Sequence, residues 1–343
     1  MTEKRRDEFG LISYLTRRHP TPLPLAKRIE VGNGDDAAVV AGRSGYNWIV
    51  CCDAMVEDVH FKRQTMLPHD IGHKALASNI SDVAAMGGIP LFYLVSLGLP
   101  RTWNEEEVAG IYDGMAELAS QHNMALIGGD TVAVPGPLTL TVTVLGEVEH
   151  GLALRRSSAR PGDSIFVTGT VGDSAGGLHI LLQERWGVAN IPDEWSALAA
   201  CHRQPEPHVQ AGRILAESGQ RIALNDISDG LASEAWEIAE ASGVQIVLNE
   251  AEIPLSDELI RYAKTSGKDA LEWAFYGGED YRLVGSIAGE HKEEISRAFA
   301  AENLSLYWIG RVEAGKAGVL LKRSNGEVTL LPKKGYNHFS EEK

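Results

Sequence analysis

Aspartates flanked by Gly, Ala or Ser recur at the ends of predicted elements along this chain. The stretches are Gly34-Asp35-Asp36-Ala37, Cys52-Asp53, Asn79-Ile-Ser-Asp82, Gly129-Asp130 and Asn225-Asp226-Ile-Ser-Asp229-Gly230, with Glu279-Asp280 following Gly277-Gly278. The patterns around them alternate. Residues 47–53 read as a strand ending at Asp53, 70–86 as a helix closed by Gly87-Gly88, and 91–99 as a buried strand. Residues 105–122 carry Val108, Ile111, Met115 and Leu118 at helical spacing. A short strand over 124–127 runs into Gly128-Gly129-Asp130, and 138–148 alternates as a strand should.

Turn residues break the pattern over 155–163, which places a boundary between a domain at 1–150 and one at 151–343. Beyond it come a strand at 164–168, a Gly-rich loop at 169–177 leading into a helix, a strand ending at Asp226, and a helix over 231–241. This alternation predicts an α/β or α+β protein, and 343 residues suit two domains.

Composition narrows the function classes. The formal net charge is −15, with no compensating Lys/Arg block, which excludes a nucleic-acid binder. The three cysteines, Cys51, Cys52 and Cys201, form no Cys-x-x-Cys pair and suit a reducing compartment. The polar start, Met1 to Arg6, lacks the apolar core of a signal peptide, and no run is long enough to span a bilayer. A soluble, cytoplasmic protein is expected.

The acids carry the chemistry. Small neighbours let a ligand approach the backbone, and carboxylates with room around them suit Mg²⁺, which keeps waters and shares substrate phosphates. A turn or a helix cap accounts for any one motif alone. Asn79 and Asp82, however, share one face of a helix among Ile80, Val83, Ala84 and Met86, where a buried polar pair needs a partner; a metal cluster would explain the set. Gly310 to Ala317 resembles a P-loop but ends on Ala where Mg²⁺ needs a hydroxyl, so it is discarded. Gly169 to Gly177 reads as a tight turn or a phosphate loop. His69 and His73 lack a metalloprotease Glu, Cys51 and Cys52 read as buried small apolar groups, and Tyr112 reads as core. No Gly-x-Ser-x-Gly elbow is present.

In their order along nearly the whole chain, these strings resemble the thiamine-monophosphate kinase family, in the superfamily of aminoimidazole ribonucleotide synthetase. They are Gly34-Asp-Asp-Ala-Ala38, Asp53-Ala-Met-Val-Glu-Asp-Val-His60-Phe61, Asn79-Ile-Ser-Asp-Val-Ala-Ala-Met-Gly-Gly88 and Leu126-Ile-Gly-Gly-Asp-Thr131. Then follow Arg156-Ser-Ser-Ala-Arg-Pro-Gly-Asp163, Asp226-Ile-Ser-Asp-Gly230, Gly277-Gly-Glu-Asp-Tyr281 and Gly335-Tyr-Asn-His-Phe339. The resemblance implies two α/β domains, the N-terminal one with a mixed sheet that forms a homodimer and the C-terminal one closing a cleft over it. It also implies ATP-dependent phosphorylation of thiamine monophosphate to thiamine diphosphate, by direct transfer.

By the same resemblance, Asp35, Asp53, Asp82, Asp130 and Asp226 are expected to hold several Mg²⁺ ions, and Asp229 a further one. Positions 51 and 52 would also touch metal, although this chain has Cys51 and Cys52 where the family usually has Thr or Ser; a backbone carbonyl would serve there and a thiol would not. Tyr112, Gly129, Arg156 and Ser228 match ATP contacts, and His60, Glu279 and Tyr336 match contacts to thiamine monophosphate. Asp53, Asp82, Asp130 and Arg156 form the expected catalytic set. The competing readings are a cyclising ligase of purine synthesis and a non-catalytic nucleotide or thiamine-phosphate sensor. A selenophosphate synthetase would need an N-terminal reactive Cys, and a hydrogenase-maturation dehydratase a C-terminal one; this chain has neither.

Overall fold

The structure, a computed structural model, describes residues 29–31, 38–41, 44–183 and 186–336. Asp35 and the 337–339 end of the last motif lie outside the described residues. Two mixed sheets organise the rest. The first contains β1 (Ile29–Val31), β2 (Ala38–Ala41), β3 (Tyr46–Val56), β4 (Ile89–Leu99), β5 (Ala125–Ala133) and β6 (Thr139–Glu149), in the order β1-β2-β3-β6-β4-β5. Only its β4–β5 pair is parallel. The second contains β7 (Asp163–Val167), β8 (Ile222–Asp226), β9 (Gln245–Asn249), β10 (Leu283–Ala288), β11 (Tyr307–Glu313), β12 (Gly318–Lys322) and β13 (Val328–Leu330), in the order β13-β12-β9-β11-β7-β10-β8.

Helices α1 (Pro68–Ala85) and α2 (Glu105–Gln121) cover the first sheet. Each starts on local chemistry. The Asp70 carboxylate accepts the Leu67 N–H at 3.1 Å, and Asn104 with Glu107 forms a reciprocal cap at 2.9 Å both ways. Around the second sheet lie α3 (Asp173–Leu181), α4 (Asp193–Arg203), α5 (Val209–Glu217), α6 (Leu231–Ser242), α7 (Asp257–Ser266), α8 (Ala270–Tyr276) and α9 (Lys292–Ala301). No helix among the described residues is long and apolar enough to cross a membrane.

Helix α1 is the hinge of the architecture. Most of its residues are buried. Ile71, Leu76, Ile80 and Val83 join the core under the first sheet, while Ala84 and Ala85 pack with Phe166, Leu215, Leu224 and Phe299 from the second half. A helix buried on so many sides needs a partner for every polar group it carries, and those partners build the site.

Three elements differ from their sequence reading. Strand β3 continues past Asp53 to Val56, because its pairing with β6 runs from Tyr46–Glu149 to Val56–Thr139. Strand β5 runs through Gly128 and Gly129 to Ala133, since its parallel register with β4 continues to Leu99. Helix α3 begins inside the Gly-rich stretch, with Gly176 and Gly177 against Leu198 and Leu259. The Gly172 and Ser174 amides there already donate to the Asp280 carboxylate, at 2.6 and 3.0 Å.

Candidate active site

The acids that end elements in both halves meet beside α1. Asp53 lies on β3, and its amide donates to Asn79 Oδ1 at 3.1 Å. Asn79 is fully buried, so the Asn79/Asp82 face of α1 does find its partner in the strand. Two residues along, on another side of α1, Ser81 Oγ donates to Asp226 Oδ2 at 2.6 Å, joining α1 to the end of β8. Asp226 is buried; that burial pushes its carboxyl above the usual range, Ser81 and Arg156 oppose the shift, and Asp53 and Glu237 reinforce it. Tyr281 reports the same convergence from the other side. Burial first, then Glu279, Asp53, Asp226 and Asp229, push its phenol well above its ordinary value.

Loop geometry holds this cluster. The 277–281 segment lies against the 227–229 loop, with the Glu279 amide donating to Ser228 O at 2.7 Å and the Tyr281 amide to Ile227 O at 2.9 Å. Glu279 and Tyr281 both take the left-handed conformation, at φ 69° and 50°, which costs a non-glycine residue of order 1–3 kcal/mol. A Cβ on Gly278 would sit 2.4 Å from Ser228 O, so only glycine permits the approach. From below, Glu234 accepts the Asp229 amide at 3.1 Å and the Ser228 hydroxyl at 3.4 Å. Burial, reinforced by Glu237 and Asp229, raises its carboxyl well above the usual range.

Arg156 sits on a short 3₁₀ turn, Arg156–Ser158. Its Nε donates to Asn225 Oδ1 at 2.9 Å and its Nη1 pairs with Glu237 at 2.7 Å, which fixes the guanidinium beside Asp226. His60 Nδ1 accepts the Val56 amide at 3.0 Å. Its ring lies 6.5 Å from that of Tyr336, and Gly335 in turn approaches Asp229 O closely. The residues matched to the acceptor therefore surround the 228–229 loop.

Other positions stand apart. Asp130, opposite Ser96 on β4, lies on the sheet's exposed side and accepts its neighbour Thr131 N–H at 2.8 Å. Gly129 shares a row of the sheet with Asp53 through Val95 and Val142, three strand spacings or about 14 Å away. Tyr112 is half-buried at the edge of the core, not within it. It lines two adjoining cavities. One, of about 490 Å³, is bounded by Val95, Leu126, Gly128, Gly129 and Asp130; the other, of about 660 Å³, by Tyr93, Ala116, Ala119 and Met124. His69 pairs with Glu117 and His73 with Pro205 O, each at 3.0 Å, so those histidines share no ligand.

Cys51 is buried and its thiol donates to Asn79 O at 3.3 Å. Burial, with Asp82 and Asp53 adding to it, pushes that thiol well up, so it stays protonated. Cys52 is exposed, contrary to its sequence reading, and accepts from Thr143 Oγ1 at 3.3 Å. The donor set is thus hard oxygen gathered round a buried carboxylate that is short of positive charge, which fits Mg²⁺ and not a soft metal. Among the described residues no group of three His, Cys, Asp or Glu could hold an ion by itself. An ion here would complete its shell with water and phosphate oxygen, as Mg²⁺ does.

Reading motifs missed Lys74, His202, Ser81 and Glu234. Lys74 had a signal: a charged side chain one helical turn from Asp70 and Ser78, within an otherwise apolar stretch. His202 had none, because only the packing of α4 on α1 brings it near.

Residues 34–148 match the family model for AIR synthase related protein, N-terminal domain, and residues 160–322 that for the C-terminal domain. Thiamine-monophosphate kinase of Bacillus subtilis strain 168 is 48% identical over 97% of this chain and 99% of its own. That of Escherichia coli strain K12 is 36% identical over 97% and 98%. The solved structure of AaThiL complexed with AMPPCP and TMP superposes with a TM-score of 0.83 at 32% identity, over 99% of this chain and 100% of that one. With its two α/β sheets, its acidic cluster and relatives matched end to end, this chain belongs to the thiamine-monophosphate kinase family of the AIR synthase related proteins.

Proposed function

We propose that this chain transfers the γ-phosphoryl group of ATP to thiamine monophosphate, giving thiamine diphosphate and ADP. The observation that carries the reading is that acids from both halves of the chain meet at α1, where Asn79 accepts the Asp53 amide at 3.1 Å and Ser81 donates to the Asp226 carboxylate at 2.6 Å. The names of the full-length relatives, and a family structure solved with AMPPCP and TMP, support it.

In this reading Asp53, Asp82, Asp226 and Asp229 hold Mg²⁺, joined by Asp35 and, from β5, Asp130. Cys51 and Cys52 offer backbone oxygen only. Mg²⁺, when bound, neutralises the ATP tail and the acceptor phosphate so that two anions can meet in a protein of net charge −15. The chain's own residues position the reactants. The Tyr112 and Gly129 cavities take the nucleoside end, and the triphosphate crosses the sheet row towards Asp53. Arg156, held by Asn225 and Glu237, sets a fixed positive charge beside that path. Ser228 presents its hydroxyl from the loop below. His60 and Tyr336 flank the acceptor's rings, and Glu279 answers the cationic thiazolium. The attacking phosphate oxygen is already deprotonated, so positioning and electrostatics carry the step and no general base is needed.

The same reading takes residues 1–150 as the nucleotide-binding and dimerisation domain and 151–343 as the domain that closes the cleft, in a cytoplasmic enzyme. Strand β5 is an open sheet edge, with Leu126, Ile127 and Val132 each about half exposed. Such an edge calls for a cover, and a second copy of the chain supplies one.

Purified protein incubated with ATP, Mg²⁺ and thiamine monophosphate should form thiamine diphosphate, seen by chromatography, and EDTA should abolish it. ATP binding without product would sink the reading.

A further inference from the structure

Lys74 is fully buried on α1, yet no substrate role covers it. Its Nζ lies 2.7 Å from Glu279 Oε2. The His202 ring nitrogens lie 3.3 and 3.5 Å from the same ammonium. His202 Nδ1 also stands 3.4 Å from Glu279 Oε2 and 3.1 Å from Ser174 Oγ. Glu279 differs from its partners in one respect: its side chain is 27% exposed, against 0% for Lys74 and 1% for His202. The carboxylate therefore spans the boundary between core and cleft, gripped by one oxygen from beneath. Its backbone, meanwhile, takes the strained left-handed turn.

We infer that Lys74, steadied by His202, is a positioning and specificity-determining residue: it holds Glu279 by Oε2 so that Oε1 faces the cleft for the cationic ring of the acceptor. The inference rests on the proposed reaction, and it goes beyond it by assigning acceptor recognition to a residue that touches no substrate. A purely structural ion pair would look similar in a stability assay, since breaking a buried pair leaves an uncompensated charge. The difference lies in selectivity. Among the described residues the side-chain partners of Lys74 are Glu279 and His202, and neither lines a nucleotide cavity. Losing the anchor should therefore weaken the acceptor and spare ATP.

The test measures KM for thiamine monophosphate and for ATP in wild type, Lys74→Met, Glu279→Gln and the double variant, with a thermal melt of each. Lys74→Met should raise the acceptor KM by about tenfold or more, about 1.4 kcal/mol, while the ATP KM stays within about twofold. In the Glu279→Gln background the Lys74→Met change should add almost nothing, because both act through one carboxylate. Equal rises in both KM values, an unchanged acceptor KM, or multiplying effects in the double variant would overturn the inference. Should Lys74→Met alone fail to fold, the uncharged double variant decides: acceptor binding equal to that of Glu279→Gln upholds the anchor, and a further tenfold loss overturns it. A wild type that makes no thiamine diphosphate would instead bring down the reaction itself, and this inference with it.

Discussion

Neighbouring glycines at positions 128 and 129 should respond to alanine in opposite ways. Gly129 has φ 151°, and a Cβ built on it lies 1.9 Å from Val95 O and 2.8 Å from Val95 C. Ordinary contact begins at 3.4 Å, so Gly129→Ala must push β5 away from β4 by about 1.5 Å. The obstacle is backbone, which cannot rotate aside. Because β5 pairs with only one strand of its own sheet, it can give way, at a cost of about 1–3 kcal/mol typical of overpacking. Catalysis is less forgiving. The displacement carries Asp130 and the wall of the Tyr112 cavity with it, and a misplacement of about 1 Å can cost about 10²-fold in rate. Gly128 is the control. Its added Cβ meets only Leu94 Cδ2, at 3.6 Å, so Gly128→Ala should shift stability by no more than about 1 kcal/mol and leave the ATP kinetics near wild type. The assay is kcat/KM for ATP, followed by ADP release, together with a melting temperature for each variant. If the two alanines lower kcat/KM alike, or if Gly129→Ala is harmless, then β5 does not hold the nucleotide by close approach to β4 and this account of Gly129 is wrong.

Three further outcomes follow from the same geometry. Asp53→Asn and Asp82→Asn should each cut turnover by at least about 10²–10³-fold, the scale of losing one electrostatic group, with an unchanged circular dichroism spectrum; near-normal rates would remove the metal-cluster reading. Ser81→Ala takes away the 2.6 Å donor to buried Asp226, and should lower stability by about 1–3 kcal/mol; an unchanged melt would show that Asp226 is satisfied elsewhere. His208 is pushed down to about 3 by burial and by Arg282, so it stays neutral in the fold while the unfolded chain takes up a proton below about pH 6.5. The stability it lends is present above that pH and lost as pH falls towards 3, by up to about 1.4 kcal/mol per unit. Denaturant melts at pH 7 and 5.5 should therefore show wild type losing ground to His208→Gln; a constant difference between the two would contradict the shift.

Much of this protein is legible in its sequence. Helices α1 and α2 lay within two residues of their sequence-based spans, because apolar spacing, an acidic cap and a closing Gly87 are local signals. Alternating strand and helix patterns predicted an α/β or α+β protein, ordered strings of small and acidic residues gave the family, and a mixed N-terminal sheet came only with that resemblance. Strand ends were less legible. Sequence shows where side-chain preference stops, but β3 and β5 continue as long as a neighbour pairs with them.

What no motif contained was distance between segments. Asp53 and Asp226 are far apart in the chain, and only the packing of α1 between both cores, through Asn79 and Ser81, brings them to one place. Asp130 carries the same local signature, yet it lies across the sheet, because three strand spacings separate it from Asp53. Lys74 and His202 are the clearest case. His202 is unremarkable in sequence and Lys74 shows only as a charge within an apolar stretch of helix, and each acquires its role because burial makes an unpaired charge costly and forces Glu279 into reach. The sequence by itself determined which groups could do chemistry, since that depends on residue type and immediate neighbours. Tertiary structure alone decided which of them meet, since desolvation and Coulomb attraction act through space and not along the chain.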